Sequence, residues 1–600
     1  MNSLLLLLLS IAVVVLGYII YAKRIDKRVI KSDPNKATPA KMYMDGVDFT
    51  PTSKNVLYGY QFKSIAALGP IVGVIVALQW GWLPALLWLL FGVLFIGWVQ
   101  DYTSTIIAVR NDGQTFGGLS YTLISPRART ILLLFIYFYI LLILGAFGSI
   151  VANVLLNVKT PLGIIVMTLA GVLAGQMIYK WHVNIIATTV ITVGISFLGI
   201  WLGTLHGISG FFEAINGGAD SPKLFGSVTQ AKLIWTLVVF FFCYLGAVLP
   251  IWRWAQPVNY VSFWIVGLGM LGAVIGIVIL RPSLSDFPAV TTNNVPGLGP
   301  IWPILFVTIA CGAVSGWHSL VSSSGTARQL EKESEALSVT GGVMFAETLL
   351  AIVALIIGVV AFGVFGGMDG YTSVLKGQGA GLVNIKDFGN GPMAVFAVGM
   401  GELLNSFGLG KDFGMAFGAV FLIIMAITVM QLCLRFMRVA SAEFMGERFP
   451  IMRNIHVGSF VGVVLSVFLV WTGYWQFIWV LFGGANQLMA SLALMIVSLW
   501  LIKTGKTHQW VSYPAIFMYI TTIAALGYTS FTALSKIVTG EAFTAVANGT
   551  LSLDKVIGSA VAGVIAIFLI IAAIILAWDG ISAIIKIRKE RSQTAENPAD

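Results

Sequence analysis

Apolar residues run through this chain in long blocks separated by short polar segments. A helix that crosses the hydrocarbon of a bilayer needs about 20 consecutive, mainly apolar residues. Blocks of that kind predict crossings at 3–22, 64–80, 82–104, 130–157, 161–179, 184–205, 233–251, 260–280, 300–320, 337–366, 412–434, 455–472, 476–502, 512–534 and 556–580. The first block is longer than the core of a cleaved leader and has no basic stretch before it. The basic cluster Lys23, Arg24, Lys27, Arg28 and Lys31 follows it instead, so it reads as a retained anchor. Residues 392–408 are moderately apolar but hold Glu402 and Asn405; they read as an interfacial or re-entrant helix on the outer side, after a Gly-rich external loop at 367–391. The outer loops at 206–232, 281–299 and 535–555 are too short to be domains.

Gly and Pro interrupt several of these blocks. Non-helical backbone at membrane depth is tolerated only where protein or water satisfies its N–H and C=O groups. The block at 64–80 contains Leu68-Gly69-Pro70-Ile71-Val72-Gly73, and that at 233–251 contains Leu245-Gly246-Ala247-Val248-Leu249-Pro250. The block at 300–320 runs into Gly312-Ala313-Val314-Ser315-Gly316-Trp317-His318, and a weaker interruption lies at Gly483-Gly484-Ala485-Asn486-Gln487. The first two interruptions are five crossings apart on segments of opposite direction, as an inverted five-helix repeat would place them. A ten-helix core over 64–434 follows. Any one interruption serves equally as a packing kink. If the first opens the helix, the N–H groups of Ile71, Val72 and Gly73 and the positive end of the helix dipole face a bound anion, most naturally a carboxylate. Gly69, Pro70, Ile71, Val72 and Gly73, with Gly246 and Pro250 opposite, are therefore candidate substrate-binding residues. Gln79 is a candidate for lining the same cavity or bonding between helices.

Composition turns the pattern into an exclusion. Hydrophobic residues make up 58% of the 600 and charged residues only 10%, against about 25% charged in a soluble domain. A soluble enzyme, a disordered chain and a disulfide scaffold are excluded. Cys243, Cys311 and Cys433 all lie in apolar blocks and read as packing residues. The net charge of +10 sits in short loops and is no nucleic-acid footprint. Placing the loop after the first crossing in the cytoplasm puts 26 of the 35 Lys and Arg on that side, as the positive-inside rule requires. The N-terminus is then outside and the C-terminus cytoplasmic. The expected organisation is an anchor helix and basic cytoplasmic loop at 1–63, a transport core at 64–434, additional helices at 435–580, and a polar cytoplasmic tail at 581–600.

A charge at the centre of a membrane helix costs about 2.5–3.5 kcal/mol on insertion scales, so each one asks for a reason. Glu347 lies inside the 337–366 block, Asp101 towards the end of 82–104, and His318 at the interruption of 300–320, among Ser315, Ser319 and Ser322. Asp101, Ser315, His318, Ser322, Ser323 and Glu347 are the candidate ion-coupling residues, with His318 and Glu347 close enough to interact. Glu347 also reads as a hydrogen-bonded neutral acid, Asp101 as a snorkelling one and His318 as a packing residue. The hydroxyls at 322–326 suit Na⁺ or a helix end. No enzyme is indicated. Gly505-Lys506-Thr507 ends like a phosphate-binding loop, but Trp500 occupies the position of its first Gly, so no nucleotide drives this protein. A single buried His cannot supply paired haem ligands, and no metal or organic cofactor is expected.

The chain resembles the carbon starvation protein family over most of 20–500. The resemblance rests on Asp45-Gly46-Val47-Asp48-Phe49-Thr50-Pro51-Thr52, Gly69-Pro70-Ile71-Val72-Gly73, Val99-Gln100-Asp101-Tyr102, Ile309–His318 and Leu481–Leu488. It implies an all-α polytopic membrane protein of about fifteen transmembrane helices, with discontinuous helices and an inverted five-helix repeat like those of LeuT and the amino acid–polyamine–cation superfamily. It also implies a secondary carrier of pyruvate or small peptides in the inner or plasma membrane, with protons the usual coupling ion. Members of the family typically read Gly-His-His-Phe where this chain has Gly59-Tyr60-Gln61-Phe62, and a second Pro where it has Val74. An Asp, Gly, Thr and Arg motif is replaced by Ile427–Leu434 before Arg435-Phe436. The expected function is alternating-access import of a small carboxylate-bearing nutrient, pyruvate first and short peptides second, coupled to H⁺ or Na⁺. A passive pore and a membrane nutrient sensor are the rivals. The expected partners are that small solute and membrane lipid, with no nucleic acid; the oligomeric state is not legible.

Overall fold

The structure, a computed structural model, describes residues 2–217, 223–225, 228–376, 391–475 and 479–596. It is an all-α polytopic membrane protein. Thirteen described helices are long and apolar enough to cross a bilayer. The helices that build the site are α1 (Ser3–Ile30), α2 (Lys54–Ile65), α3 (Gly69–Trp80), α4 (Trp82–Val109), α5 (Gln230–Val248), α6 (Gly316–Ser324), α7 (Glu333–Val364), α8 (Lys411–Met445) and α9 (Phe482–Lys503). The helices α2 and α3 form one further crossing, bent by 43°. The remaining expected crossing, 300–320, is not a single helix. Short helical pieces at Ile301–Leu305 and Phe306–Thr308 give way to unwound backbone over 309–315 before α6 begins.

The helices sort by what they face. Along α7, α8 and α9 nearly every side chain is buried in protein. At the rim, Leu8, Leu169, Ile186, Val190, Phe241, Phe460, Ile516 and Val564 stand exposed. Such a belt is costly in water and favourable against lipid.

Three expectations change. Pro392–Asn405 is a helix, but Ala394–Gly401 is buried throughout and lies against α7 and α8, which excludes the interfacial alternative and leaves the re-entrant one. The Gly-rich stretch that precedes it lies partly outside the described residues, at 377–390. The last helix continues to Glu596, so the polar tail expected at 581–600 is helical over most of its length. The third change concerns the second interruption. Helix α5 is continuous to Val248; Leu249 and Pro250 end it, and a turn at Ile251–Arg253 leads on to Ala255–Leu280. Pro250 is a stop signal at the basic end, not a mid-span break, because Pro cannot continue the hydrogen-bond ladder.

The partner of the break between α2 and α3 is the unwound 309–315 segment. The two broken crossings run antiparallel. At one end Trp80 Nε1 donates to Gly299 O (3.0 Å) and Thr291 N to Trp80 O (2.9 Å). At the other, Thr52 N donates to Gln329 O (3.0 Å) and Gln61 Nε2 to Ser322 Oγ (3.2 Å). Each second half packs on the helix that follows the other break: α3 on α7, and α6 on α4.

The motif Asp45–Thr52 clamps the basic end. Asp45 Oδ1 accepts from the N–H groups of Val47, Asp48 and Phe49. That fold of the loop presents Asp48 to Arg435 (2.6 Å) and Arg438 (3.2 Å) of α8. Arg435 also donates to the carbonyls of Gly246 (3.0 Å) and Leu249 (2.9 Å), the end of α5. Burial pushes the Asp48 carboxyl up, but the two guanidiniums outweigh it and hold it at about 2.

Candidate functional site

The two breaks face each other. A Cβ added at Gly69 would lie 2.5 Å from Cys311 Sγ, and one at Gly73 would lie 2.3 Å from Thr308 O. Only glycine allows so close an approach at these two points. Pro70 occupies the first turn of α3, where a missing N–H costs nothing.

The carbonyls at the two breaks, unwound or at helix ends, are satisfied by side chains from neighbouring helices, as membrane depth demands. Trp317 Nε1 donates to Ser64 O (2.7 Å), Thr348 Oγ1 to Gly312 O (2.9 Å), and Gln487 Nε2 to Phe306 O (2.8 Å). Trp88 Nε1 reaches Phe306 O (3.1 Å) and Ile309 O (3.2 Å). The N-terminus of α6 is capped from another helix. Asn486 Oδ1 accepts from Trp317 N (3.2 Å), from Ser315 Oγ (3.2 Å) and from Tyr139 OH (2.6 Å). This is an N-cap interaction supplied across the bundle.

On the first turn of α6, His318 is held between two carboxylates. Its Nδ1 lies 3.1 Å from Asp101 Oδ2 of α4, and its Nε2 lies 3.3 Å from Glu347 Oε2 of α7. All three side chains are fully buried. The Nε2–Oε2 approach is not aligned as a hydrogen bond, and both Glu347 oxygens, Asp101 Oδ1 and His318 Nε2 lack hydrogen-bond partners among the described residues. Beside Asp101, Gln100 Nε2 donates to Ser319 Oγ (2.6 Å) and to the Ser315 carbonyl. An imidazole between two carboxylates can accept a proton at one nitrogen and release it from the other. Among the described residues no cluster of three or more His, Cys, Asp or Glu is arranged to hold a metal ion.

The structure thus brings Asp101, His318 and Glu347 together, with Ser315 one turn away at the cap. Ser322 accepts from Gln61, while Ser323 Oγ donates back to Ser319 O (2.7 Å) within its own helix. These hydroxyls do not converge on a common point. The anion pocket expected from Ile71, Val72 and Gly73 is not open. The N–H groups of Ile71 and Val72 both donate to Leu68 O (3.1 and 2.8 Å), and Gly73 is packed on Thr308. Gln79 lies at the far end of α3, bonded to Val76 O (3.1 Å). Gly246 packs on Gln431, next to the Arg435 contact at the basic end, and Pro250 lies beyond it.

Lys63 was hidden from sequence reading. It appears there as the last residue of a basic loop. In the structure it lies near the end of α2, fully buried beside the break, with Nζ 3.3 Å from Ala66 O and 3.0 Å from Met425 Sδ. Helix α2 begins at Lys54, which carries Lys63 about 13 Å along the helix axis at about 1.5 Å per residue.

The family model "Carbon starvation protein CstA" matches residues 2–525. The peptide transporter CstA of Escherichia coli is 30% identical, over 91% of this chain and 83% of that protein. The pyruvate/proton symporter BtsT of Escherichia coli is 29% identical, over 87% of this chain and 81% of that protein. Among solved structures, MhsT in complex with L-phenylalanine aligns over 87% of this chain and 99% of its own at a TM-score of 0.44 and 14% identity. With a family match across most of its length and relatives alike over nearly all of it, the chain belongs to the carbon starvation protein CstA family.

Proposed function

We propose that this protein is a secondary carrier that imports a small carboxylate-bearing nutrient with protons, by alternating access across the inner or plasma membrane, its basic face towards the cytoplasm. Pyruvate is the first substrate class and short peptides the second. The names of two relatives, a peptide transporter and a pyruvate/proton symporter, support both classes. The observation that carries the reading is the buried Asp101–His318–Glu347 trio between two helix breaks. Ionisable groups so deep in a membrane bundle are a cost that a proton pathway explains. The trio favours H⁺ over Na⁺, because the hydroxyls that would ligate Na⁺ are turned to other partners.

Glu347→Gln tests the reading. In proteoliposomes the variant is expected to lose pyruvate accumulation driven by a pH gradient while keeping pyruvate exchange. A variant that accumulates pyruvate as the wild type does would make Glu347 a packing residue. Sodium-driven accumulation with no effect of pH would remove the proton from the mechanism.

A further inference from the structure

The trio does not account for Lys63. A fully buried ammonium touches a carbonyl and a thioether, neither of which carries charge. Glu347, across the break, acts on it electrostatically, and Glu347 is itself acted on by His318, Asp101 and Lys63. Cys311 lies beside the imidazole, and α8 contributes Met425. Formal charge is then easily counted. With a single proton on the trio, two carboxylates and an imidazole carry one net negative charge, and Lys63 balances it. A second proton brings the trio to zero and leaves the ammonium buried without a counter-charge. An uncompensated buried charge is strongly unfavourable; the lysine then either sheds its proton or takes an anionic partner, and an incoming carboxylate is that partner.

We propose that Lys63 is the seat of the substrate carboxylate, and that it becomes available only after the trio has taken up its second proton. The assignment rests on the carboxylate-carrier reading above. It makes coupling a matter of charge: proton first, anion second, and no net charge moved. It also gives the first break a cation where its N–H groups are already used. In the sequence this Lys follows directly on Gly59-Tyr60-Gln61-Phe62, the stretch that departs from the family's Gly-His-His-Phe.

The test measures pyruvate binding to the full-length protein in detergent by calorimetry, in buffers of different ionisation enthalpy, with methyl pyruvate as the uncharged control. Wild type is expected to take up a proton with each pyruvate and to bind it more tightly as pH falls. Lys63→Met should bind pyruvate about 10- to 100-fold more weakly, the weight of a charge-assisted hydrogen bond, with methyl pyruvate unchanged. Glu347→Gln should bind pyruvate without proton uptake and without the pH dependence, which tests the order of events even if Lys63→Met does not fold. Wild-type pyruvate affinity in a folded Lys63→Met, or proton uptake retained in Glu347→Gln, overturns the assignment and leaves the carrier reading standing. A wild type that binds neither pyruvate nor dialanine overturns the carboxylate reading itself, and the assignment with it.

Discussion

Asp48 shows how far a single side chain reaches in this protein. It lies on a loop, yet it neutralises Arg435, which is only 2% exposed and would otherwise be a buried charge with nothing but carbonyls around it. Asp48→Asn is expected to lower stability by about 3–5 kcal/mol, the cost of orphaning one member of a buried pair, read as a fall in melting temperature in detergent. The pH dependence has a definite sign. The Asp48 carboxyl is held at about 2 against an ordinary 3.8, so its contribution is complete above pH 3.8 and is lost as pH falls through 2. A variant that melts with the wild type across that window would leave the clamp without energetic weight. Sequence alone singles out the loop as a motif but does not say what it holds. The partner is nearly 400 positions away, and only Asp45 and its turn are local. Glu347, His318 and Asp101 are legible because charge in an apolar block is conspicuous. Lys63 is not, because it stands at the junction between a polar stretch and the 64–80 block, where a basic residue is ordinary.

At the scale of the helix, the same reason explains which elements were visible. Thirteen crossings announce themselves because they are apolar along the whole block, whether they meet lipid or, like α7, α8 and α9, the protein interior. Helix α2 reads Lys-Asn-Val-Leu-Tyr-Gly-Tyr-Gln-Phe-Lys-Ser-Ile, a mix of polar and apolar residues that protein contacts satisfy, so hydropathy gives no signal for it. The first half of the first broken crossing therefore looks like loop in the sequence. The Gly246–Pro250 interruption misleads for a different reason: Gly and Pro near a helix end are punctuation, and only the end itself distinguishes a stop from a kink. The breaks that do face each other are held by backbone contact. Gly73→Ala would place a Cβ 2.3 Å from Thr308 O. It is expected to cost about 3 kcal/mol, the upper end for overpacking, seen as a lower melting temperature and a smaller yield of monodisperse protein. A Gly73→Ala protein as stable as wild type would show that the two broken crossings part more easily than their packing implies.

For the whole molecule, the orientation is open to direct measurement, and the native cysteines leave it undisturbed because Cys243, Cys311 and Cys433 are all buried. Glu213 and Lys332 are exposed and lie in segments assigned to opposite sides of the membrane. Glu213→Cys should react with an impermeant maleimide on intact cells, and Lys332→Cys only after permeabilisation. The reverse pattern would put the basic face outside and overturn the assigned orientation. One bond between the breaks bears on how such a machine moves. Trp317 Nε1 on α6 donates to Ser64 O on α2, so the start of one half-helix is fastened to the end of the other. Two free joints would give two independent rotations, and intermediates with one side open at each joint. Fastened joints act as a mechanical linkage with a single coordinate: tilting either half-helix drags its counterpart, and a doubly open leak requires the indole to let go first.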